Sequence, residues 1–282
     1  MGSLQGKVVI VTGAGRGIGH AVAQHLAREG ARLVLGDVGC DPEGEGADPT
    51  VVDQAVAAVR AAGGEAIGDA GDLREAETAP RLVQRAREEL GRLDAVVGSA
   101  GIRRNRSVRK MADGDVDHVL DLHVRAAFRL VGAAVDAFVT QGDGGSITLM
   151  TGPLAFFGGA RQSLEAAGAA AVAGLVRSSA VELRRHRIRV NGIAPTARTR
   201  LTEDLPLFRG VSESSMGPDH VAPVVTYLAS DAAHDVSGEI LGVAGGRIYA
   251  IRSRETTGAF MEGRPFSPEE VGTAFDEITR TG

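Results

Sequence analysis

The sequence predicts an α/β fold in which a doubly wound, parallel sheet of seven strands carries helices on both faces. Three observations predict it. A β-branched run, KVVIVT from Lys7, feeds a glycine-rich turn and then an apolar-periodic helix, HAVAQHLAREG. Strands then alternate with helical segments along most of the chain, the pattern that builds parallel sheets through crossover helices. The second strand, ARLVLGD, ends on Asp37, eighteen residues beyond Gly19, where a carboxylate meets an adenosine ribose in dinucleotide-binding turns.

The remaining elements follow in order. An acidic Gly/Pro loop, GCDPEGEGADP, precedes a helix at 51–62 and a short strand, EAIGDAGD. A helix at 79–90 leads to the strand RLDAVVGSAG, an Arg-rich loop and a long helix at 113–140. The strand GSITLMT, a loop rich in Gly and Phe, a second long helix at 163–185 and the strand RIRVNGIAP come next. The helix HVAPVVTYLAS and the strand EILGVAGG complete the sheet. Residues 1–246 are therefore expected to form one Rossmann-type dinucleotide-binding and catalytic domain, with 247–282 as a C-terminal extension packed on it. That tail contains FSPEEVGTAFDEI, where Ser267 is the expected N-cap and Pro268 occupies the first helical turn.

Composition narrows the function classes. A chain of 282 residues with 43% hydrophobic content is long enough to bury a sizeable core and short for two full domains. The net charge of −5 supplies no basic stripe, so neither nucleic acid nor an anionic membrane is an expected partner. No apolar run reaches the ~18 residues expected of a membrane span, and no signal-peptide pattern opens the chain. Cys40 is the single cysteine, which excludes an internal disulfide. These features predict a cytoplasmic protein. The histidines show no convincing ligand pairing with cysteine or carboxylate, so no metal is expected.

The turn after the first strand has a definite chemistry. Gly13 permits the sharp exit from the strand, Gly17 lets the backbone approach a pyrophosphate, and Gly19 lets the helix pack on the sheet. The helix start offers unpaired N–H groups to the anion. Asp37 suits two free ribose hydroxyls and repels a 2′-phosphate, which favours NAD over NADP.

With these motifs in place, the chain resembles the short-chain dehydrogenase/reductase family over nearly its whole length. TGAGRGIG from Thr12 resembles the family's cofactor fingerprint, placing Gly13, Arg16, Gly17, Ile18 and Gly19 at the cofactor. Asp72 and Leu73 resemble the pair that holds the adenine. Ser99, Ala100 and Gly101 lie in GSAG, where the family usually has NNAG, and IAPTART, with Pro195 and Thr199, resembles the loop beside the nicotinamide. The acidic loop, GIRRNRSVRKM and GGRIYA are most similar to a branch acting on hydroxyacyl thioesters, including the dehydrogenase units of multifunctional β-oxidation proteins.

The resemblance also implies a tyrosine that moves a proton, a lysine four residues later that depresses its pKa, a serine that orients the substrate oxygen and an asparagine that supports a water. Aligned on AGLVRSSAVEL without gaps, the first three positions hold Glu165, Ala169 and Gly152, and in LDLHV the asparagine position holds His123. No lysine follows Lys110, and Tyr227 and Tyr249 are the only tyrosines. The standard Ser/Tyr/Lys chemistry is thereby excluded at the sequence level, and Glu165 and His123 become the candidate acid–base groups, because a buried carboxylate rises towards neutrality and histidine titrates there.

Three readings follow. The first is an atypical oxidoreductase that binds NAD(H) and acts on a small carbonyl, hydroxy or acyl compound. The second is a non-redox acid–base enzyme on the same fold, a dehydratase, isomerase or cyclase, with Phe156 and Phe157 as an apolar substrate wall. The third is a catalytically silent subunit. In each the two long helices provide an oligomer interface, for a homo-tetramer or dimer or for pairing with an active paralogue. Arg161 and the cluster Arg103, Arg104, Arg106 and Arg109 are either substrate contacts or solvated loop arginines.

Overall fold

A computed structural model describes residues 2–280. The chain divides into two compact units, Met1–Ala250 and Ile251–Gly282. In the first, β1 (Val8–Thr12), α1 (Gly17–Arg28), β2 (Arg32–Gly36), α2 (Thr50–Ala61), β3 (Glu65–Asp69), α3 (Thr78–Glu89) and β4 (Ala95–Gly98) form the first half. Then come α4 (Asp113–Leu120), a π-helical turn (Asp121–Arg125), α5 (Ala126–Gln141), β5 (Gly145–Met150), α6 (Leu154–Phe157) and α7 (Ser163–Leu183). The unit ends with β6 (Ile188–Thr196), the short α8 (Glu213–Met216), α9 (Ala222–Ala229), β7 (Ile240–Ala244) and β8 (Arg247–Ala250).

The strands lie in the order β3-β2-β1-β4-β5-β6-β7-β8. All neighbours are parallel except β7 and β8. The chain winds outward from β1 to β3 and returns to the other side of β1 at β4, so the strand order reverses between them. Thr12 is in register with both Gly36 and Gly98, which aligns the C-terminal ends of β1, β2 and β4 at that switch point, the place where doubly wound sheets bind ligands. Every residue of β1 is buried. Val9 and Val11 join Leu33 and Leu35 of β2, Val22 and Leu26 of α1 and Val225 and Leu228 of α9 in one core layer. Strand alternation sends Val8 and Ile10, also fully buried, to the opposite face. A parallel sheet covered on both faces needs this continuous apolar reading.

The doubly wound fold is as expected, with three differences in detail. The sheet has eight strands: β8 pairs antiparallel with β7 through the two-residue turn Gly245–Gly246, extending the first unit to Ala250. A Gly-Gly pair between strands is a hairpin signal. Gly242 faces Tyr249 across the pair, and a Cβ there would fall 2.3 Å from the Tyr249 ring, so the two residues fit only together. The single helix expected at 113–140 is two helices joined by the π-helical turn that contains His123. Helix Ser163–His186 is long and apolar enough by length and composition to cross a membrane. In this fold it is the helix packed on β6, with half of that apolar window buried.

In the second unit, α10 (Pro268–Thr279) starts with a capping box: Ser267 Oγ accepts from Glu270 N–H at 3.3 Å, and Ser267 N–H donates to Glu270 Oε2 at 2.9 Å. Serine at the cap and proline at the first position are as read from the sequence.

Candidate functional site

A cavity of about 470 Å³ opens at the C-terminal ends of the strands. One end is built by the glycine turn. Gly13 and Gly17 hold positive φ values of 65° and 54°, which only glycine adopts without strain. A Cβ at Gly13 would sit 2.7 Å from Ala100 Cα, and one at Gly19 only 2.1 Å from Gly13 O. Backbone therefore packs directly on backbone here. Thr12 Oγ1 fixes the facing loop by accepting from Ser99 N–H at 3.2 Å. No side chain caps α1 at Arg16, so its first N–H groups stay available to an anion. Thr199 stands over them, its Cγ2 placed 3.5 Å from where a Gly17 Cβ would be.

Asp37 is held by backbone alone: Oδ2 accepts from Gly15 N–H and Oδ1 from Gly39 N–H, each at 2.8 Å. Each oxygen keeps a lone pair for a hydroxyl. Asp72 is engaged differently, since Arg74 grips its carboxylate through Nη2 at 2.6 Å and Nε at 2.8 Å and also contacts His118. Burial alone would raise the Asp72 pKa, but the Arg74 hydrogen bonds and charge outweigh it and hold the carboxyl below its usual range. Nothing in the local pattern announces this pair, which spans two residues in a loop.

The basic cluster has partners. The acidic loop after β2 reaches across to it: Arg103 N–H donates to Pro42 O at 2.9 Å, Arg106 Nη2 to Glu43 Oε2 at 3.0 Å, and Arg104 pairs with Glu45 and, at 3.0 Å, with Asp115. Two loops of opposite charge thus clasp each other beside the crevice. Arg109 and Arg161 are exposed.

At the other end lie Thr151, Gly152, Glu165, Ala169 and His123. Thr151 Oγ1 donates to Ala169 O at 2.7 Å, holding the end of β5 against α7. A Cβ at Gly152 would be 3.8 Å from Ala169 Cβ. Glu165 exposes only 13% of its side chain. Burial pushes its pKa up to about 7, against the lowering pull of Arg103 and Gln162, while Asp204 adds to the rise. Gln162 Nε2 donates to Glu165 Oε2 at 3.3 Å. With its side-chain amide assigned the orientation that suits both neighbours, Asn105 donates to Glu165 Oε1 at 3.1 Å and accepts from Arg103 Nε at 3.2 Å.

His123 sits in the π-helical turn with Nε2 at 3.0 Å from Ile102 O and 3.2 Å from Ile102 N. Burial lowers its pKa despite the Ile102 carbonyl, so the imidazole is neutral near pH 7 and its Nε2 is committed to the backbone. A π-helical turn inserts one residue per turn and re-aims its side chains, which here brings the ring against Ile102.

Gly13, Arg16, Gly17, Ile18, Gly19, Asp37, Asp72, Leu73, Ser99, Ala100, Gly101, Pro195 and Thr199 all line this one cavity, together with Glu165 and His123. Phe156 and Phe157 do not. Phe157 is 72% exposed, and Phe156 stacks under Arg177 at 5.6 Å. Leu154, Leu201, Leu205, Leu207 and Phe208 form the apolar wall instead. They come from α6 and the segment after β6, and four of the five are leucines. Neither tyrosine nor lysine occurs in the lining. Tyr227 lies on α9, Tyr249 on β8, and Lys7 pairs with Asp94 and Asp231 before β1. Among the described residues no group of three or more His, Cys, Asp or Glu is placed to hold a metal.

A glycine turn at an uncapped helix start, an acid closing the second strand and a crevice at the switch point define a doubly wound dinucleotide-binding domain. Residues 7–206 match the family described as short chain dehydrogenase. The chain belongs to that family. It is 34% identical over 275 residues to peroxisomal multifunctional enzyme type 2 of Mus musculus, covering 97% of this chain and 36% of that enzyme. The chain thus spans about a third of the mouse protein. A second relative, the hydroxyacyl-CoA dehydrogenase ChsB1 of Mycobacterium tuberculosis, is 34% identical over 95% of this chain and 87% of its own length. Among solved structures, a short chain dehydrogenase from Mycobacterium avium superposes with a TM-score of 0.87 at 31% identity, covering 98% of this chain and 95% of that one. A carveol dehydrogenase from the same organism, crystallised with NAD, gives 0.77 at 28% identity over 86% of this chain and 97% of its own.

Proposed function

We propose that this chain is an atypical short-chain dehydrogenase/reductase that binds NAD(H) and interconverts a carbonyl and a hydroxyl group, with Glu165 handling the proton. The observation that carries the reading is the Glu165 carboxyl enclosed in the wall of the cavity, where burial pushes its pKa up to about 7. A group with a pKa near the working pH serves equally as acid and base.

The residues fit the cofactor. The glycine turn leaves backbone N–H groups for a pyrophosphate, and Asp37 offers an acceptor on each oxygen for a ribose. Arg74 covers the Asp72 carboxylate, so Leu73 and neighbouring backbone are left as the adenine contacts. When bound, the nicotinamide supplies or accepts a hydride at the carbonyl carbon. Protonated Glu165 donates to the carbonyl oxygen in reduction, and its carboxylate takes the hydroxyl proton in oxidation. Neutral His123 is a positioning group that ties the π-helical turn to the loop after β4 through Ile102. Ala169 provides no cation for the ribose where the family resemblance places lysine, so the nicotinamide end is held less firmly than the adenosine end.

The apolar wall of Leu154, Leu205 and Phe208 supports a substrate with a hydrophobic body, in keeping with the relatives named for hydroxyacyl-CoA and carveol. Phe128 on α5 and Val181 on α7 are 56% and 80% exposed, which supports self-association through these helices. The test is turnover of 3-hydroxyacyl thioesters and cyclic alcohols, followed by NADH absorbance and by product analysis. Conversion that requires NAD(H) is expected. Conversion that proceeds equally without nicotinamide would instead establish the acid–base reading, a dehydratase, isomerase or cyclase, which the same neutral-range carboxyl favours.

A further inference from the structure

Glu165 is not an isolated carboxyl. Arg103, in the loop after β4, places Nε 4.0 Å from Glu165 Oε1, and Asn105 bridges the two side chains. The same guanidinium is gripped from the other side by Asp204, which accepts from Nη2 at 2.6 and 2.7 Å. Asp204 belongs to the segment after β6 that also carries the cavity-lining Leu205 and Phe208. Arg103 Nη1 is buried without a hydrogen-bond partner, so neither carboxylate satisfies the guanidinium fully. Arg103 exposes only 15% of its side chain and Asp204 exposes 67%. The enclosed cation is therefore shared between an enclosed carboxyl and one on the surface.

We propose that Arg103 is a positioning residue whose charge is divided between Glu165 and Asp204, so that the Asp204 carboxylate holds positive charge away from Glu165. The electrostatics have a definite sign. A cation beside a carboxyl favours the ionised form, and an anion disfavours it. With Asp204 in place, Arg103 is held towards the surface and a second negative charge lies near Glu165. Without the Asp204 carboxylate, the guanidinium is free to pair with Glu165, which favours the ionised form. Gln162, Asn105, Arg103 and Asp204 are the polar and charged groups that bear on this carboxyl. The inference rests on the assignment of Glu165 as the proton-transfer group, but its test does not depend on turnover.

The experiment is a pH titration of the Glu165 carboxyl carbon by ¹³C NMR in the full chain, with the signal assigned by its loss in Glu165→Gln. Asp204→Asn should lower the midpoint by about 1 pH unit, and Arg103→Gln should raise it by a similar amount. Arg103→Lys, which keeps the cation, should stay closer to the parent. Opposite signs are the diagnostic result. If the Arg103–Asp204 pair served only to fasten the segment, breaking it from either end would open the cavity and lower both midpoints by hydrating Glu165. Shifts of the same sign, or none in Asp204→Asn, would overturn the proposal. Asp204 is exposed, so that variant leaves the core intact. Retained turnover in Glu165→Gln would overturn the catalytic role of Glu165 and leave the titration result standing.

Discussion

Glu165→Gln is expected to lower turnover by about 10²–10⁴-fold, the range that a positioned acid–base group supplies, while leaving NADH affinity unchanged. The pH profile gives the sign. The carboxyl titrates at about 7 because burial disfavours its charge. Reduction, which needs the protonated form, should slow as pH rises through that value, and oxidation should accelerate. Both inflections should vanish in the variant. The same shift makes a stability prediction of opposite sign. The folded carboxyl binds its proton more tightly than an unfolded one at 4.5, so folded-state stability falls as pH rises from about 4.5 to about 7. Above pH 7 the isosteric amide removes that penalty, and the variant should be more stable than the parent by at most roughly 3 kcal/mol. A thermal midpoint that rises while activity falls is the signature of a residue kept for function. Equal turnover and an unchanged pH profile in the variant would exclude Glu165 from the chemistry.

Gly19→Ala is expected to have the largest effect on cofactor binding. The added Cβ would lie 2.1 Å from Gly13 O, a backbone atom of the turn, so no side chain can swing aside to relieve it. Either α1 slides along the sheet or the turn opens, and both displace the N–H groups that face the cavity. Overpacking of this kind costs about 1–3 kcal/mol, so thermal denaturation should show a lower midpoint and calorimetry at least a tenfold loss of NADH affinity. Gly17→Ala is the informative comparison. Its Cβ would meet Thr199 at an ordinary 3.5 Å, and the cost comes from its φ of +54° instead. A Gly19→Ala protein with parental stability and affinity would contradict the close packing described for this turn.

Most of the glycine-turn end of the cavity was legible from the sequence, because its determinants are local. A buried strand, a turn demanding glycine, a helix start and an acid at the end of the next strand follow one another within 37 residues, and each has its own residue requirement. The features that were not legible depend on partners from distant loops. Arg74 takes the Asp72 carboxylate, the acidic loop takes Arg104 and Arg106, and Asp204 takes Arg103; each acid is an unremarkable surface residue until the loops meet. The π-helical turn at His123 leaves the apolar periodicity on either side nearly unchanged, so 113–140 read as one helix. β8 is only four residues long and mostly exposed, too short for alternation to register, although Gly245–Gly246 marks its turn. The apolar wall was expected from Phe156 and Phe157 after β5, whereas Leu154 of α6 and the leucines and Phe208 of the segment after β6 line the cavity.

Calorimetric titration with NADH and, separately, NADPH tests the account most directly, with Asp37→Ala as the companion variant. Micromolar binding of NADH, weaker binding of NADPH, and loss of the NADH preference when the Asp37 carboxylate is removed are expected, since that carboxylate is the group proposed to meet the ribose hydroxyls. Absence of binding by either nucleotide would contradict it, leaving the glycine turn as a packing feature of the sheet and the neutral-range Glu165 as the centre of a cofactor-free site.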